Sequence, residues 1–251
     1  MPITARREAI LAAVYKTGRA RTTDLAVDLG VSEVTIRNDL DALERLGRIS
    51  RVHGGAAMPE VPLVGFHQRR DRQVEQKQRV AAAASRLIRD DQTIILDSGT
   101  TVVQLARLLP TVANLVVYTR GLYVALHLME VSGVDLRLLG GKLLPGIAAT
   151  LATATAGGLD GILAHTAFLG AGGIDRDMDV VEGRVQIAET KRIMMAAARR
   201  RVLLADSSKW FTSDPHKVVG LSSFDTVITD DGLAPEIRAA IESQGVELVV
   251  V

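Results

Sequence analysis

Arg37 and Asn38 stand side by side in a stretch, residues 31–56, whose side chains suit contact with DNA. A guanidinium can reach a phosphate or a guanine edge, and a carboxamide can bond N6 and N7 of adenine together. Val34 can touch a thymine methyl. Thr22, Ser32, Thr35, Arg48, Arg51, His53 and Gly54 suit the sugar-phosphate backbone. A second group, Asp97-Ser98-Gly99-Thr100-Thr101, suits an anion. Where a strand runs into glycine and hydroxyl residues that open a helix, the amides, the helix dipole and the hydroxyls all favour phosphate. Asp97 could accept hydrogen bonds from sugar hydroxyls. The same five residues would also serve as a plain cap and tight turn.

Three more turns follow predicted strands: Thr119-Arg120-Gly121, Gly140-Gly141-Lys142 and Gly170-Ala171-Gly172-Gly173. In open α/β sheets the ligand crevice lies outside the carboxyl ends of the strands. Four glycine-containing turns on one edge therefore predict a ligand site. None spells a phosphate-binding loop of the nucleotide-hydrolase type or GxGxxG, so nucleoside triphosphates and dinucleotides are not indicated. Lys209 follows another strand on that edge and could pair with a phosphate. Lys191 could do so only if the start of its helix faces the crevice. For both, a solvated lysine is the alternative. The five histidines show no metal-ligand spacing, and neither a metal nor a cofactor is expected.

The elements that place these residues can be read from spacing. Ile10, Leu11 and Val14 give residues 4–17 a helical face that Gly18 ends. Thr22 or Thr23 starts a short helix that Gly30 ends. Ser32 caps a third, with Ile36, Leu40 and Leu43 in register and Gly47 after it. Arg48 to His53 alternate and break at Gly54-Gly55, which reads as a basic ribbon. Helix, turn, helix and ribbon in that order predict a winged helix-turn-helix over 1–56. Residues 57–75, with Pro59, Pro62 and Gly65, read as a linker. From 76 to 251, short β-branched strands alternate with helices, including one near 155–164 and one over 186–199. That predicts an α/β domain with a mainly parallel sheet covered on both faces.

The whole chain has 251 residues, 47% of them hydrophobic, and a net charge of +1, so a nucleic-acid site must be a local basic patch. It has no cysteine, which excludes disulfides, cysteine–zinc sites and thiol catalysis and fits a cytoplasmic protein. Aromatics are 3%, too few for a single-strand stacking platform. Apolar runs are broken well short of about 18 residues, so no membrane span is expected.

At this point the chain resembles the DeoR-type transcriptional regulators. VSEVTIRNDLDALERLGRISRVHGGA is close to that family's VSxxTIRRDLxxLExxGxLxRxHGGA signature. LDSGTT (96–101), LLGGKL (138–143), AFLGAGGID (167–175) and VLLADSSKW (202–210) match sensor-domain motifs in the family's order. The resemblance spans roughly residues 5–210. It implies a sensor domain related to ribose-5-phosphate isomerase-like folds that responds to phosphorylated sugars or sugar catabolites. Several positions depart. Asn38 stands where the family usually has a second Arg, and Arg120 where it usually has Asn. Met178–Glu182 replaces a Gly-Leu-Thr segment. Ile187 sits where relatives place an acid four residues before Lys191, and Glu189 is the nearest substitute.

The expectation is a sequence-specific repressor of a carbohydrate catabolism operon. Its partners would be double-stranded operator DNA, a phosphorylated sugar effector and one or three further copies of the chain. The alternative is a sugar-phosphate isomerase with an appended DNA-binding domain. Asp97, Asp175 and Glu189 would then be candidate bases and Lys209 an oxyanion partner.

Overall fold

The computed structural model describes residues 2–17, 19–45, 48–57, 65–151, 158–212 and 214–251. The chain divides into two compact units, 1–62 and 63–251. The expected stops at Gly18 and Gly47, and the breakers Pro59 and Pro62, lie outside the described residues.

The first unit runs α1 (Ile3–Thr17), β1 (Arg19–Arg21), α2 (Thr22–Leu29), α3 (Glu33–Arg45), β2 (Ser50–Val52) and β3 (Gly55–Ala57). Its helices exist because each has one apolar stripe to bury. Ile10 and Val14, Leu25 and Ala26, and Ile36, Leu40 and Leu43 meet in one core with Ile49 and Ala56. Each large side chain there contributes about 2 kcal/mol of burial. Gly30 ends α2 in the left-handed conformation (φ 64°), as a C-terminal glycine does. The predicted ribbon forms the edge strand β2 of a three-stranded antiparallel sheet of order β1-β3-β2, with β3 in the middle after the Gly54-Gly55 break. β1 was not legible as a strand, since Arg19-Ala20-Arg21 has no β-forming bias of its own. Gly55 admits it: a Cβ there would lie 2.1 Å from the carbonyl oxygen of Ala20.

The second unit begins with α4 (Phe66–Arg70) and α5 (Val74–Ser85). It continues through β4 (Thr93–Leu96), α6 (Thr100–Arg107), β5 (Leu115–Thr119), α7 (Leu122–Leu128) and β6 (Val134–Leu138). After these come the hairpin β7 (Lys142–Leu144) and β8 (Ala149–Leu151), then β9 (Ala164–Gly170), β10 (Gly173–Ile174) and β11 (Asp179–Glu182). The last elements are α8 (Val185–Ala196), β12 (Ala198–Leu204), β13 (His216–Gly220), β14 (Thr226–Thr229), α9 (Pro235–Glu242) and β15 (Glu247–Val250). Seven strands form one parallel sheet of order β15-β14-β12-β9-β4-β5-β6. Its two faces carry separate cores, as alternation requires. Ile94, Leu96, Phe168, Val202 and Leu204 pack under α5, α6 and α7. Ile95, Ala167, Leu169 and Leu203 pack under α8 and α9.

Three expectations need correction. Of the linker 57–75, Ala57 belongs to β3 and residues 66–70 form α4. Phe66 is an apolar anchor among the polar residues of that stretch: it is 3% exposed and stacks on Tyr123. The helix near 155–164 does not form over 158–163, where Gly158 (φ 85°) and Gly161 (φ 72°) interrupt it, and Ala164 already opens β9. Residues 155–157 lie outside the described residues. The helix over 186–199 ends at Ala196, because Ala198 to Leu204 pair with β9.

Candidate functional sites

In the first unit, α3 presents Val34, Arg37, Asn38 and Asp41 to solvent while Ile36, Asp39 and Leu40 turn inward. Ser32 caps the helix: the Thr35 amide donates to its Oγ at 3.2 Å, and the two hydroxyls lie 2.9 Å apart. Arg37 is exposed and pairs with Glu33 one turn back at 2.8 Å, a contact weak enough in water to be exchanged for a phosphate. The ribbon is stapled to this helix. The Arg51 amide donates to Glu44 Oε1 at 2.8 Å, and its guanidinium lies 3.3 Å from Asp41. Arg48, His53 and Gly54 are exposed, with Gly54 in the left-handed region (φ 77°) at the tip. Beneath the helix, buried Asp39 accepts from Arg6 Nε at 2.5 Å and Arg7 Nε at 2.9 Å. Burial raises the Asp39 pKa, but the two arginines outweigh it and hold the carboxyl below its usual range. Thr22 is a correction. It is 4% exposed, and as the first residue of α2 its side chain turns into the unit, so it offers no surface to DNA.

In the second unit, the strand order reverses direction between β4 and β9. β5 and β6 lead away on one side, and β12, β14 and β15 on the other. Such a switch point opens a crevice at the carboxyl ends of the strands. Asp97 follows β4 there and Gly170 ends β9. The Gly170 amide donates to Asp97 Oδ2 at 3.1 Å, and the Ser98 amide donates to Asp97 Oδ1 at 2.7 Å. Buried Lys191 donates to the same Asp97 carboxylate and to the Gly170 carbonyl at 2.6 Å, and lies 3.3 Å from Glu182 Oε1. Burial raises the Asp97 pKa, yet Lys191 and the two amides bring it below the ordinary range. Glu182 shares the lysine but stays raised by its burial. Ser98 and Gly99 remain half-buried, and no side chain among the described residues caps α6 at Gly99. Its first-turn amides are thus available to an anion.

The remaining predicted residues divide. Ala171 and Gly172 lie on the crevice edge, and the Gly172 amide donates to Glu182 Oε1 at 2.9 Å. Lys209 reaches the Gly172 carbonyl at 3.5 Å, and burial lowers its pKa despite Asp206 nearby. Thr100 and Thr101 are buried in the first turn of α6. Arg120 is 1% exposed and donates to the Gly140 carbonyl at 2.7 Å, tying two of the predicted turns together. Gly141 is needed for a close approach, since a Cβ would fall 2.0 Å from the Leu151 carbonyl oxygen. Lys142 is exposed in β7.

Two effector assignments do not hold. The Thr119 hydroxyl is spent internally: it is fully buried, donates to the Leu96 carbonyl at 2.7 Å and accepts from the Gly121 amide at 3.1 Å. Glu189 points to solvent on α8, and Ile187 is buried against Ile147, Ala149 and Leu151. The carboxylate that accompanies Lys191 is Glu182, which sequence reasoning missed. It sits on β11, in a three-stranded antiparallel sheet of order β10-β11-β13 that the alternating helix–strand pattern hid. The signal was Asp179–Glu182 itself, a β-branched pair flanked by acids.

The DeoR-like helix-turn-helix domain model matches residues 6–61, and the DeoR C-terminal sensor domain model matches residues 72–231. The chain belongs to the DeoR family. Among the DeoR relatives, a candidate aga operon transcriptional repressor of Escherichia coli O157:H7 is 33% identical, over 98% of this chain and 93% of that protein. The glycerol-3-phosphate regulon repressor of Escherichia coli K12 is 32% identical over 92% of each. These relatives are regulators, and the isomerase alternative finds no support in them. A ribose 5-phosphate isomerase from Methanocaldococcus jannaschii covers 55% of the chain and 54% of its own, with a TM-score of 0.39 and 20% identity. Among the described residues, no helix is long and apolar enough to cross a membrane, and no group of three or more His, Cys, Asp or Glu could hold a metal ion.

Proposed function

We propose that this DeoR-family regulator is a cytoplasmic repressor of a carbohydrate catabolism operon, released from its operator by a phosphorylated sugar. The observation that carries the reading is the half-open turn Ser98-Gly99 at the sheet's switch point, leading into the first turn of α6, with Lys191 behind it and Lys209 on the crevice edge. A phosphate on the α6 amides meets the helix dipole and the two hydroxyls, while Ala171 and Gly172 leave room for the sugar. Two copies of the chain would set two copies of α3 on neighbouring half-sites. For release, the sugar phosphate must bind one arrangement of the protein more tightly than the other.

The test has two parts. Fragments of the source genome are selected for binding, and phosphorylated sugars are screened for thermal stabilisation of the protein. The expected outcome is a repeated or palindromic DNA site together with one sugar phosphate that raises the melting temperature and weakens DNA binding. A bulky acid in place of Ser98 should abolish the sugar-phosphate response. A normal response in that variant would move the site elsewhere.

A further inference from the structure

Helix α4 is held to the second unit more firmly than its five residues would suggest. Phe66 stacks on Tyr123 with ring centres 4.5 Å apart, and His67 Nε2 lies 3.2 Å from the Tyr123 hydroxyl. Buried Lys77 donates to the carbonyls of Arg69 (2.5 Å) and Arg72, closing the carboxyl end of α4 from below. The backbone of Arg69 is therefore fixed. Its side chain is not satisfied: Nε is buried without a hydrogen-bond partner, and no carboxylate among the described residues pairs with the guanidinium directly. α4 packs against α6, whose first turn opens at the crevice; burial lowers the Arg69 pKa, and Glu182, Asp97 and Asp214 around the crevice act against that. Glu182 and Asp214 converge on Gly172, where each would lie 2.8 Å from an added Cβ, and Lys209 reaches the carbonyl of the same glycine. A half-buried cation with a fixed stem and no direct counter-ion is a waiting half of a charge-assisted bond.

We propose that Arg69 binds the anionic group of the effector together with the Ser98–Thr100 turn, so that ligand binding tightens α4. The proposal rests on the sensor reading above. It adds a residue that lies outside every motif used for that reading, on the first helix after residues 58–64. A guanidinium offers an anion two parallel donors, and the bond ties α4 to the ligand in addition to Phe66 and Lys77. α4 is then the element through which occupancy reaches the chain segment leading to the DNA-binding unit.

The test is amide hydrogen exchange on the full chain, with inorganic phosphate and then ribose 5-phosphate as probes, against chloride at equal ionic strength. In the wild type, either probe should slow exchange both at 99–103 and at 66–72, by roughly tenfold at the latter. Arg69→Met should keep the slowing at 99–103 and lose it at 66–72. Arg69→Lys, which keeps the charge but not the fork, should retain part of it, and serves as the check if the Met variant does not fold. Slowing at 66–72 that survives in Arg69→Met overturns the proposal. Slowing confined to 99–103 in the wild type also overturns it and leaves the sensor reading standing. No slowing at either segment with either probe overturns both.

Discussion

Each unit of this regulator buries an aspartate against cations, and the two are built differently. Asp39 in the DNA-binding unit has two arginines to itself, and they reach it from the rim of the unit. Asp97 in the sensor shares one fully buried lysine with Glu182 and draws the rest of its support from two backbone amides. The first arrangement is closed: cations exceed anions, and Asp39 ties α1 to the back of α3. The second is short of cations at its centre, with Lys209 and Arg69 standing close without a direct carboxylate partner. A surplus of counter-charge makes a clamp, whereas a shortage leaves groups ready to respond to a ligand. The reading head is accordingly clamped underneath and exposed on its face, and the sensor keeps Asp97, Glu182 and Lys191 buried at its crevice.

The largest test of that contrast is Lys191→Met. Removing the one cation between Asp97 and Glu182 leaves two buried carboxylates uncompensated, a loss of about 3–5 kcal/mol. Urea unfolding should show it in the sensor, and an unchanged midpoint would mean that the lysine is not their shared counter-ion. Next is Asp39→Asn, with an expected loss of about 1–3 kcal/mol near neutral pH, since two guanidiniums lose their acceptor. The sign with pH follows from the depressed Asp39 pKa. Its stabilisation is complete above the ordinary value of 3.8 and is lost as pH falls through the lower folded value. Below about pH 4 the variant and the wild type should converge, and a constant gap in acid titrations would remove Asp39 from the account.

Smaller effects are expected on the exposed face. Asn38→Arg should shift base preference from adenine toward guanine at one or two positions of the selected DNA, by about 1–3 kcal/mol each. An identical logo would show that Asn38 reads nothing. Smallest is Gly54→Ala. The Cβ meets no atom within 4 Å, so only the left-handed backbone resists it, at about 1 kcal/mol. DNA affinity should fall a few-fold through the ribbon tip while the unit's stability changes little. A large loss of stability would show that the tip is packed.

The DNA-binding unit was legible because its signals are local. Ser32, the stripe Ile36, Leu40 and Leu43, and the glycine tip each act within a few residues of their partners. Thr22 was misjudged because a threonine at a helix start gives no sign of which way it faces. The seven strands of the sensor's parallel sheet were also legible, as were the turns at their ends. Its charge cluster was not, since Lys191 meets an acid 94 residues away and its second acid lies on a small antiparallel sheet. The resemblance pointed to Glu189, which lies two residues before Lys191 and so on the opposite, exposed side of the helix. Arg69 lay within the stretch read as linker, and only Phe66 and Lys77 hold that stretch to the sensor.

The late place of Lys191 in the chain also has a meaning for biosynthesis. The DNA-binding unit is complete once residue 62 has emerged, with its own core closed. The sensor's central ion pair waits for Lys191. At the usual rates of elongation, the interval between residue 62 and Lys191 is on the order of 6–26 s. During it, a nascent chain carries a finished reading head and a crevice that lacks its central lysine.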